Sequence, residues 1–212
     1  MNTKQLILFI LLIVVCQIGQ SQSIQVKIPN FDDTYCHTIA KLESGETEID
    51  YLKFRESFLE SQQHSVASDK STELIELKKK MYEQMRNSEL DEIIITTKKM
   101  LSIDYTNMKA HKILRQTYEY TGDTTNARKY KAIQFGLLNS IIDNGDGRSC
   151  ESAWPVIAVS EEYFILEMLD ARLLSQSINE DGGICDEMKV NMEDQERVYS
   201  VSYTHLTLPT KA

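Results

Sequence analysis

Apolar positions between residues 31 and 142 recur every three or four residues, the spacing of helices that bury one face. The pattern predicts helices over residues 31–42, 49–61 and 71–86, and a fourth that starts at Ser88. Ser88 with Asp91 three residues later resembles a capping box, which is why the fourth helix is placed there. Residues 62–70 lack the apolar repeat and are predicted to form a polar loop.

The clearest helical pattern lies within residues 88–142, where a helix pair is predicted over 107–140. Five residues stand at the offsets of a tetratricopeptide-type helix pair: Ala110, Leu114, Tyr118, Gly122 and Ala127. In that pattern Gly122 turns the chain between the two helices, and the small side chain of Ala127 lets them approach closely. Only about one and a half repeats are present, whereas stacked pairs need roughly three to be stable alone. Neighbouring elements must therefore cover the exposed faces of this pair.

After residue 142 the hydrophobic period changes from helical to alternating. A turn cluster at residues 143–147 precedes a β-branched run at 154–159, which predicts a strand. Ser160 is then expected to cap a helix over 161–169. Further strands are predicted over 173–179 and 188–192 and from Arg197 onward. The chain is thus predicted to be α+β, a helical region (28–142) and a small C-terminal α/β unit (143–200) forming one domain.

The first 21 residues have the order of a secretory signal peptide. Lys4 precedes an apolar run over residues 6–15, which is shorter than the roughly 20 residues that span a bilayer. Cleavage is expected after Ser21, or alternatively after Ser23. Cys16 is a competing candidate for lipid anchoring, but Val15 stands where such a site usually has a small residue. The mature chain is therefore predicted to be exported, either periplasmic or secreted, with no later transmembrane segment.

Residues 201–212, with the sequence VSYTHLTLPTKA, do not fit the pattern that precedes them. The first six of these letters are encoded by a string that resembles the end of a common sequencing transposon. We therefore interpret the segment as an adapter artefact, which would truncate the last predicted strand. A genuine polar terminus is the alternative.

Charge and cysteine content limit the classes of partner. The formal net charge is −9, and an acidic chain without a basic cluster disfavours nucleic acid and anionic membranes as partners. After the signal peptide the cysteines are Cys36, Cys150 and Cys185, too few for a disulfide framework. Cys150 and Cys185 are the pair that could bond, and the sequence leaves open whether they do.

Motifs for catalysis, metals and cofactors give no assignment. The Asp143 turn has glycines where a calcium loop needs oxygen ligands, and Cys36 next to His37 does not place the two side chains face to face. No nucleotide-binding or serine-hydrolase motif appears, so no catalytic residue, metal or cofactor is predicted. Residues 161–163 (Glu-Glu-Tyr) follow a predicted strand and could line a pocket there, although a helix start explains them more simply.

Several short stretches resemble the domain-of-unknown-function 4919 family, exported proteins of Bacteroidota-type bacteria. The similarity covers roughly residues 28–199 and is most specific from Gly145 to Tyr163. It is carried by Gly145-Asp146-Gly147, Ala153-Trp154, Val156-Ile157, Val159 and Glu161-Glu162-Tyr163, with Tyr51, Phe54, Arg55 and Gly122-Asp123 before them. The resemblance implies an α+β fold and an exported setting, and no activity.

The leading functional hypothesis is a non-enzymatic protein-interaction or envelope-associated module, whose partner would be another envelope or secreted protein. Its candidate binding residues are His111 and Tyr118 on the groove side of the helix pair, and Trp154 at the junction with the β unit. Burial in the core is the alternative role for each. A hydrolase with a site between the helical body and the β unit is the second hypothesis, and a small-ligand module the third.

Overall fold

The structure, a computed structural model, describes residues 25–180 and 183–203. The predicted signal peptide, including Cys16, lies outside the described residues, as do residues 204–212. The helices of the described part are α1 (Thr34–Ser44), α2 (Tyr51–Glu60), α3 (Gln62–Asp69), α4 (Ser71–Asn87), α5 (Leu90–Ile103), α6 (Met108–Thr121), α7 (Thr124–Ile142) and α8 (Val159–Met168). The strands are β1 (Trp154–Val156), β2 (Arg172–Asn179), β3 (Cys185–Met192) and β4 (Gln195–Tyr203). The predicted α+β class, a helical body followed by a β-containing unit, is confirmed.

The predicted helix pair over 107–140 is present as α6 and α7. Asn107 starts α6 by accepting a hydrogen bond from the Ala110 N–H, and Asp123 starts α7 by accepting one from Asn126. Gly122 ends α6 at φ 80°, a left-handed conformation that glycine adopts without steric cost. These caps explain why the chain reverses at the position that the spacing predicted.

Two local predictions in the helical body are wrong. Residues 62–70, predicted as a loop, form α3, because Gln63 and Ala67 are buried on one face and Gln63 donates to the Ile103 carbonyl at 2.8 Å. Ser88 does not cap α5. It lies in the left-handed region at φ 58° and ends α4, and α5 begins after Glu89 without a side-chain cap.

The C-terminal unit is a four-stranded sheet in the order β1-β4-β3-β2. β1 pairs with β4 in parallel, while the two other pairings are antiparallel. The predicted strand over 154–159 is shorter than expected, because Ala158 rather than Ser160 precedes the first turn of α8. β3 is longer than expected and begins at Cys185.

Strand β4 continues to Tyr203, past the predicted boundary of the artefact. Val201 is fully buried and is aligned with Trp154 on one side and with Asp186 on the other. Residues 201–203 are therefore part of the sheet, because each of them is in register with a residue of β1.

One continuous core joins the two parts of the chain. It runs from the aromatic residues of α1 and α2 through α7 to the inner face of the sheet, where Val156, Val190 and Val201 are fully buried. Cys150 and Cys185 are bonded to each other, which settles the pairing that the sequence left open, and Cys36 is free and buried. None of the described helices combines the length and apolarity needed to cross a membrane.

Candidate functional site

Two of the predicted binding residues, His111 and Tyr118, lie inside the helical body. His111 is 0% and Tyr118 is 7% exposed. The ring of Tyr130 lies 5.8 Å from each of their rings, so the three side chains form one aromatic cluster between α6 and α7. The sequence pattern correctly placed both residues on the inner face of the helix pair, but that face is covered.

Glu43 anchors the polar side of this cluster. Its carboxylate accepts hydrogen bonds from the hydroxyls of Tyr105 at 2.6 Å and Tyr130 at 3.1 Å, and pairs with Lys129 at 2.8 Å. Burial raises the pKa of Glu43, but Lys129 and the hydroxyl donors outweigh that effect and the pKa is lowered. Because these partners saturate the carboxylate, the network ties α1 to α7 and to the segment between α5 and α6, and is structural.

His111 makes the fold sensitive to acid. Its Nε2 lies 2.7 Å from the Tyr105 carbonyl and so donates to it, while its buried Nδ1 has no hydrogen-bond partner among the described residues. Burial lowers the pKa of His111 from 6.5 to about 4, since a charged ring would be desolvated. Between pH 6.5 and about pH 4 the His111 ring is protonated in the unfolded chain but neutral in the folded chain. Lowering the pH over this range therefore lowers the free energy of unfolding. We expect this histidine to account for about 3 kcal/mol of that loss.

The measurement is urea unfolding of the wild type and of His111→Gln between pH 4 and pH 7.5. The variant keeps an N–H for the Tyr105 carbonyl and is expected to lose much of the slope between pH 6.5 and 4. His37→Gln is the control, because His37 is 67% exposed in its ion pair with Asp32. Equal slopes in wild type and His111→Gln would contradict the assignment.

Trp154, the third predicted binding residue, lies in the sheet. It is 6% exposed and stacks on Tyr199 with ring centroids 5.0 Å apart. It is separate from the cluster of His111 and Tyr118, and none of the three residues lines a cavity of appreciable size in the described part of the chain. All three side chains are buried, which is the alternative role that the sequence allowed for each of them, and their part in binding stays a prediction.

A buried ion pair connects the helical body to α8. Arg55 on α2 and Glu161 on α8 are 1% and 5% exposed in their side chains, and Nη2 lies 2.6 Å from Oε2. The same Nη2 donates to the Pro155 carbonyl at 2.9 Å, and the Ile157 N–H donates to Glu161 at 2.8 Å. Burial raises the pKa of Glu161, and the guanidinium opposes that rise by holding the carboxylate charged.

A cleft of about 300 Å³ opens beside this ion pair, between α4 and α8. Ile75 on α4 and Tyr163 on α8 both line it, and they are 54% and 51% exposed. Leu74, Tyr82, Met100 and Phe164 supply more of the apolar wall, and the polar lining residues are Lys78, Asp104, Asn107, Lys109, Ser160 and Glu167. A concave, mostly apolar site with a few polar groups has the composition of a small-ligand site.

The cleft continues into a narrow cavity of about 40 Å³. Asp104, which follows α5, lines both spaces, and Glu161 lines the narrow one. Oδ1 of Asp104 accepts hydrogen bonds from the Thr106 N–H at 2.9 Å and its hydroxyl at 2.6 Å. Burial raises the pKa of Asp104, and these two donors only partly offset the rise. A carboxyl group with a raised pKa in a cleft is typical of a functional site.

On its other side α8 is bound to the sheet by Glu162. This carboxylate is 0% exposed and accepts hydrogen bonds from the Tyr203 hydroxyl and from Gln176 Nε2. Burial raises the pKa of Glu162, and nearby Asp186, bound to the same Gln176 at 3.0 Å, adds to the rise. The group lines none of the cavities above, so its role is to fix α8 on the sheet.

The chemistry available in the cleft follows from these groups. It offers apolar walls, one carboxyl of raised pKa and an ammonium, Lys109, that pairs with Glu167 at 2.5 Å. No group of three or more metal-ligating side chains occurs within the described residues. The arrangement suits binding of a small organic molecule, and Asp104 could also donate a proton to one.

Sequence reasoning identified part of this site. It allowed that residues 161–163 could line a pocket, and the structure places both Glu161 and Tyr163 there in the first turns of α8. Asp104 was not among the predicted site residues. The α4 wall gave no signal, because its apolar residues have ordinary helical spacing.

Comparison with known proteins gives one match. A family model described as "Domain of unknown function (DUF4919)" matches residues 22–204. A search of curated proteins and a search of solved structures each found no match.

Proposed function

Because the chain belongs to the DUF4919 family, whose description assigns no activity, we propose its function from its geometry: an exported, non-catalytic module that binds a small, largely apolar ligand in the cleft between α4 and α8. The observation that carries this proposal is the open pair of Ile75 and Tyr163, which leaves two large apolar side chains exposed on opposite walls. On its other sides α8 is held by polar contacts of Glu161 and Glu162. Within the described residues, the cleft is thus a concave surface whose apolar walls are left uncovered.

Export is supported by two features. The N-terminal 21 residues have the signal-peptide pattern, and the Cys150–Cys185 bond is typical of proteins in oxidising compartments. We place the mature protein in the periplasm or outside the cell, with release favoured over lipid anchoring at Cys16. Fractionation of cells that express the complete chain, with the mass of the recovered protein, tests this placement.

The cleft is tested by titrating the protein with n-hexanol and following backbone amide NMR shifts. We expect the shifts to concentrate on α4, α8 and the residues around Asp104. The double variant Ile75→Ala/Tyr163→Ala is expected to weaken binding about tenfold, which corresponds to about 1.4 kcal/mol of lost apolar contact.

Val198→Ala is the matched control, because Val198 is 51% exposed on the sheet, away from the cleft. It should leave the affinity unchanged. Shifts spread over the whole surface, or an equal effect of the control, would reject the cleft as the binding site.

A second candidate function, a hydrolase acting in the same cleft, is favoured by the raised pKa of the Asp104 carboxyl. A raised pKa favours the role of general acid for a carboxyl group. Chromogenic glycoside and ester panels distinguish the two functions. Turnover that disappears in Asp104→Asn, in a variant that still binds hexanol, would favour the hydrolase over the binding module.

A further inference from the structure

We propose that the narrow end of this cleft binds the ammonium group of a primary amine whose apolar chain lies along the wider part. The inference rests on the proposed ligand-binding function and names the chemical class of the ligand. It is carried by the arrangement of charges around Asp104.

At the narrow end most of the charged groups are paired. Lys109 and Glu167 lie 2.5 Å apart, and Arg55 and Glu161 lie 2.6 Å apart. Asp104 differs from them, because the hydrogen bonds it accepts within the described residues come from neutral donors of Thr106. A partly desolvated carboxylate that has no ion-pair partner is stabilised most by a bound cation, because the cation supplies the missing positive charge.

Other charged groups near Asp104 do not replace that cation. His64 on α3 interacts with Asp104 electrostatically, but it is exposed to solvent and forms no ion pair with it among the described residues. Lys78 lines only the wider part of the cleft, and Lys109, which also lines the narrow end, is already paired with Glu167. A ligand carboxylate at the narrow end would meet both Asp104 and Glu161, and like charges there are unfavourable.

The size of the narrow cavity fits an ammonium group. Its volume of about 40 Å³ is close to the roughly 30 Å³ that one water molecule occupies in the liquid. Hydroxyl and amide side chains of Ser160 and Asn107 line it beside Asp104, which gives an ammonium further acceptors. Phe164 lines both the narrow and the wide cavity, so an apolar chain can pass from one to the other against a continuous wall.

The experiment compares three six-carbon probes that differ only in the head group: n-hexylammonium chloride, n-hexanol and sodium hexanoate. Affinities are measured by NMR titration of the wild type at pH 7.5 and constant ionic strength. We expect n-hexylammonium to bind at least tenfold more tightly than n-hexanol, and hexanoate to bind least. In Asp104→Asn the advantage of the ammonium should disappear while the affinity for hexanol stays the same.

Asp69→Asn is the matched control, since Asp69 is an exposed carboxylate on α3 that lines none of these cavities. It should retain the preference for n-hexylammonium. A second measurement needs no variant: the pKa of the Asp104 side chain, followed by carboxyl NMR in the wild type, should fall when n-hexylammonium is added. This keeps the test valid if Asp104→Asn does not fold.

The outcomes separate the two proposals. Equal affinities for n-hexylammonium and n-hexanol, or an unchanged Asp104 pKa, would overturn the amine inference and leave the ligand-binding cleft standing. Preference for hexanoate would also overturn it. If none of the three probes shifts residues of the cleft, both the inference and the proposed function are rejected.

Discussion

Replacing Arg55 by methionine is expected to lower the free energy of unfolding by about 3–5 kcal/mol, the largest effect of any single substitution considered for this protein. Methionine keeps much of the side-chain volume, so the loss is electrostatic. Glu161 would remain buried with its guanidinium partner gone and only the Ile157 N–H to stabilise its charge. The Pro155 carbonyl would also lose a donor.

The measurement is urea unfolding, extended to a double-mutant cycle. The pair Arg55→Met/Glu161→Leu is expected to recover most of the stability, since replacing both partners of a buried pair by apolar groups is often neutral. Arg148→Met is the control, because the Arg148 side chain is 84% exposed beside Asp146, and it should change stability by less than about 1 kcal/mol. Additive losses in the double variant would show that the two residues act independently.

Removing the disulfide with Cys150→Ala/Cys185→Ala is expected to destabilise the protein by about 4 kcal/mol. The bond joins residues 35 apart in sequence, and closing a loop of that length restricts the unfolded chain by about this amount in the chain-entropy description. Because Cys150 precedes β1 and Cys185 begins β3, amide exchange should rise first in the sheet.

Reducing agent supplies the control for this second prediction. Dithiothreitol should lower the urea midpoint of the wild type towards that of the double variant, and should leave the double variant unchanged. Cys36 is already free, so it does not contribute to the difference. If dithiothreitol leaves the urea midpoint of the wild type unchanged, the stabilising role of the disulfide is contradicted.

The sequence predicted those elements whose determinants are local. Asn107, Gly122 and Asp123 cap and turn α6 and α7 through neighbours within three residues, so the spacing was sufficient to place that pair. α3 was missed because the partner of Gln63 is the Ile103 carbonyl, 40 residues away. Ser88 was misread because a serine before a helix can also end the preceding one.

The candidate site depends on contacts that a single sequence does not reveal. Arg55 and Glu161 are separated by 106 residues, and nothing in the local pattern of either one indicates the other. Burial of His111, Tyr118 and Trp154 follows from how α7 and the sheet cover them, which helical spacing alone does not determine. Residues 161–163 could be associated with a pocket because they follow a strand directly, a local feature.

Two successive glutamates hold α8 from opposite sides. Glu161 is bound to the helical body through Arg55, and Glu162 is bound to the sheet through Tyr203 and Gln176. The α8 wall of the cleft is therefore braced and cannot swing outward without breaking both sets of bonds. α4 has far fewer anchors, with Met81 and Gln84 as its buried residues. We therefore expect α4 to be the wall of the cleft that adjusts its position when a ligand binds.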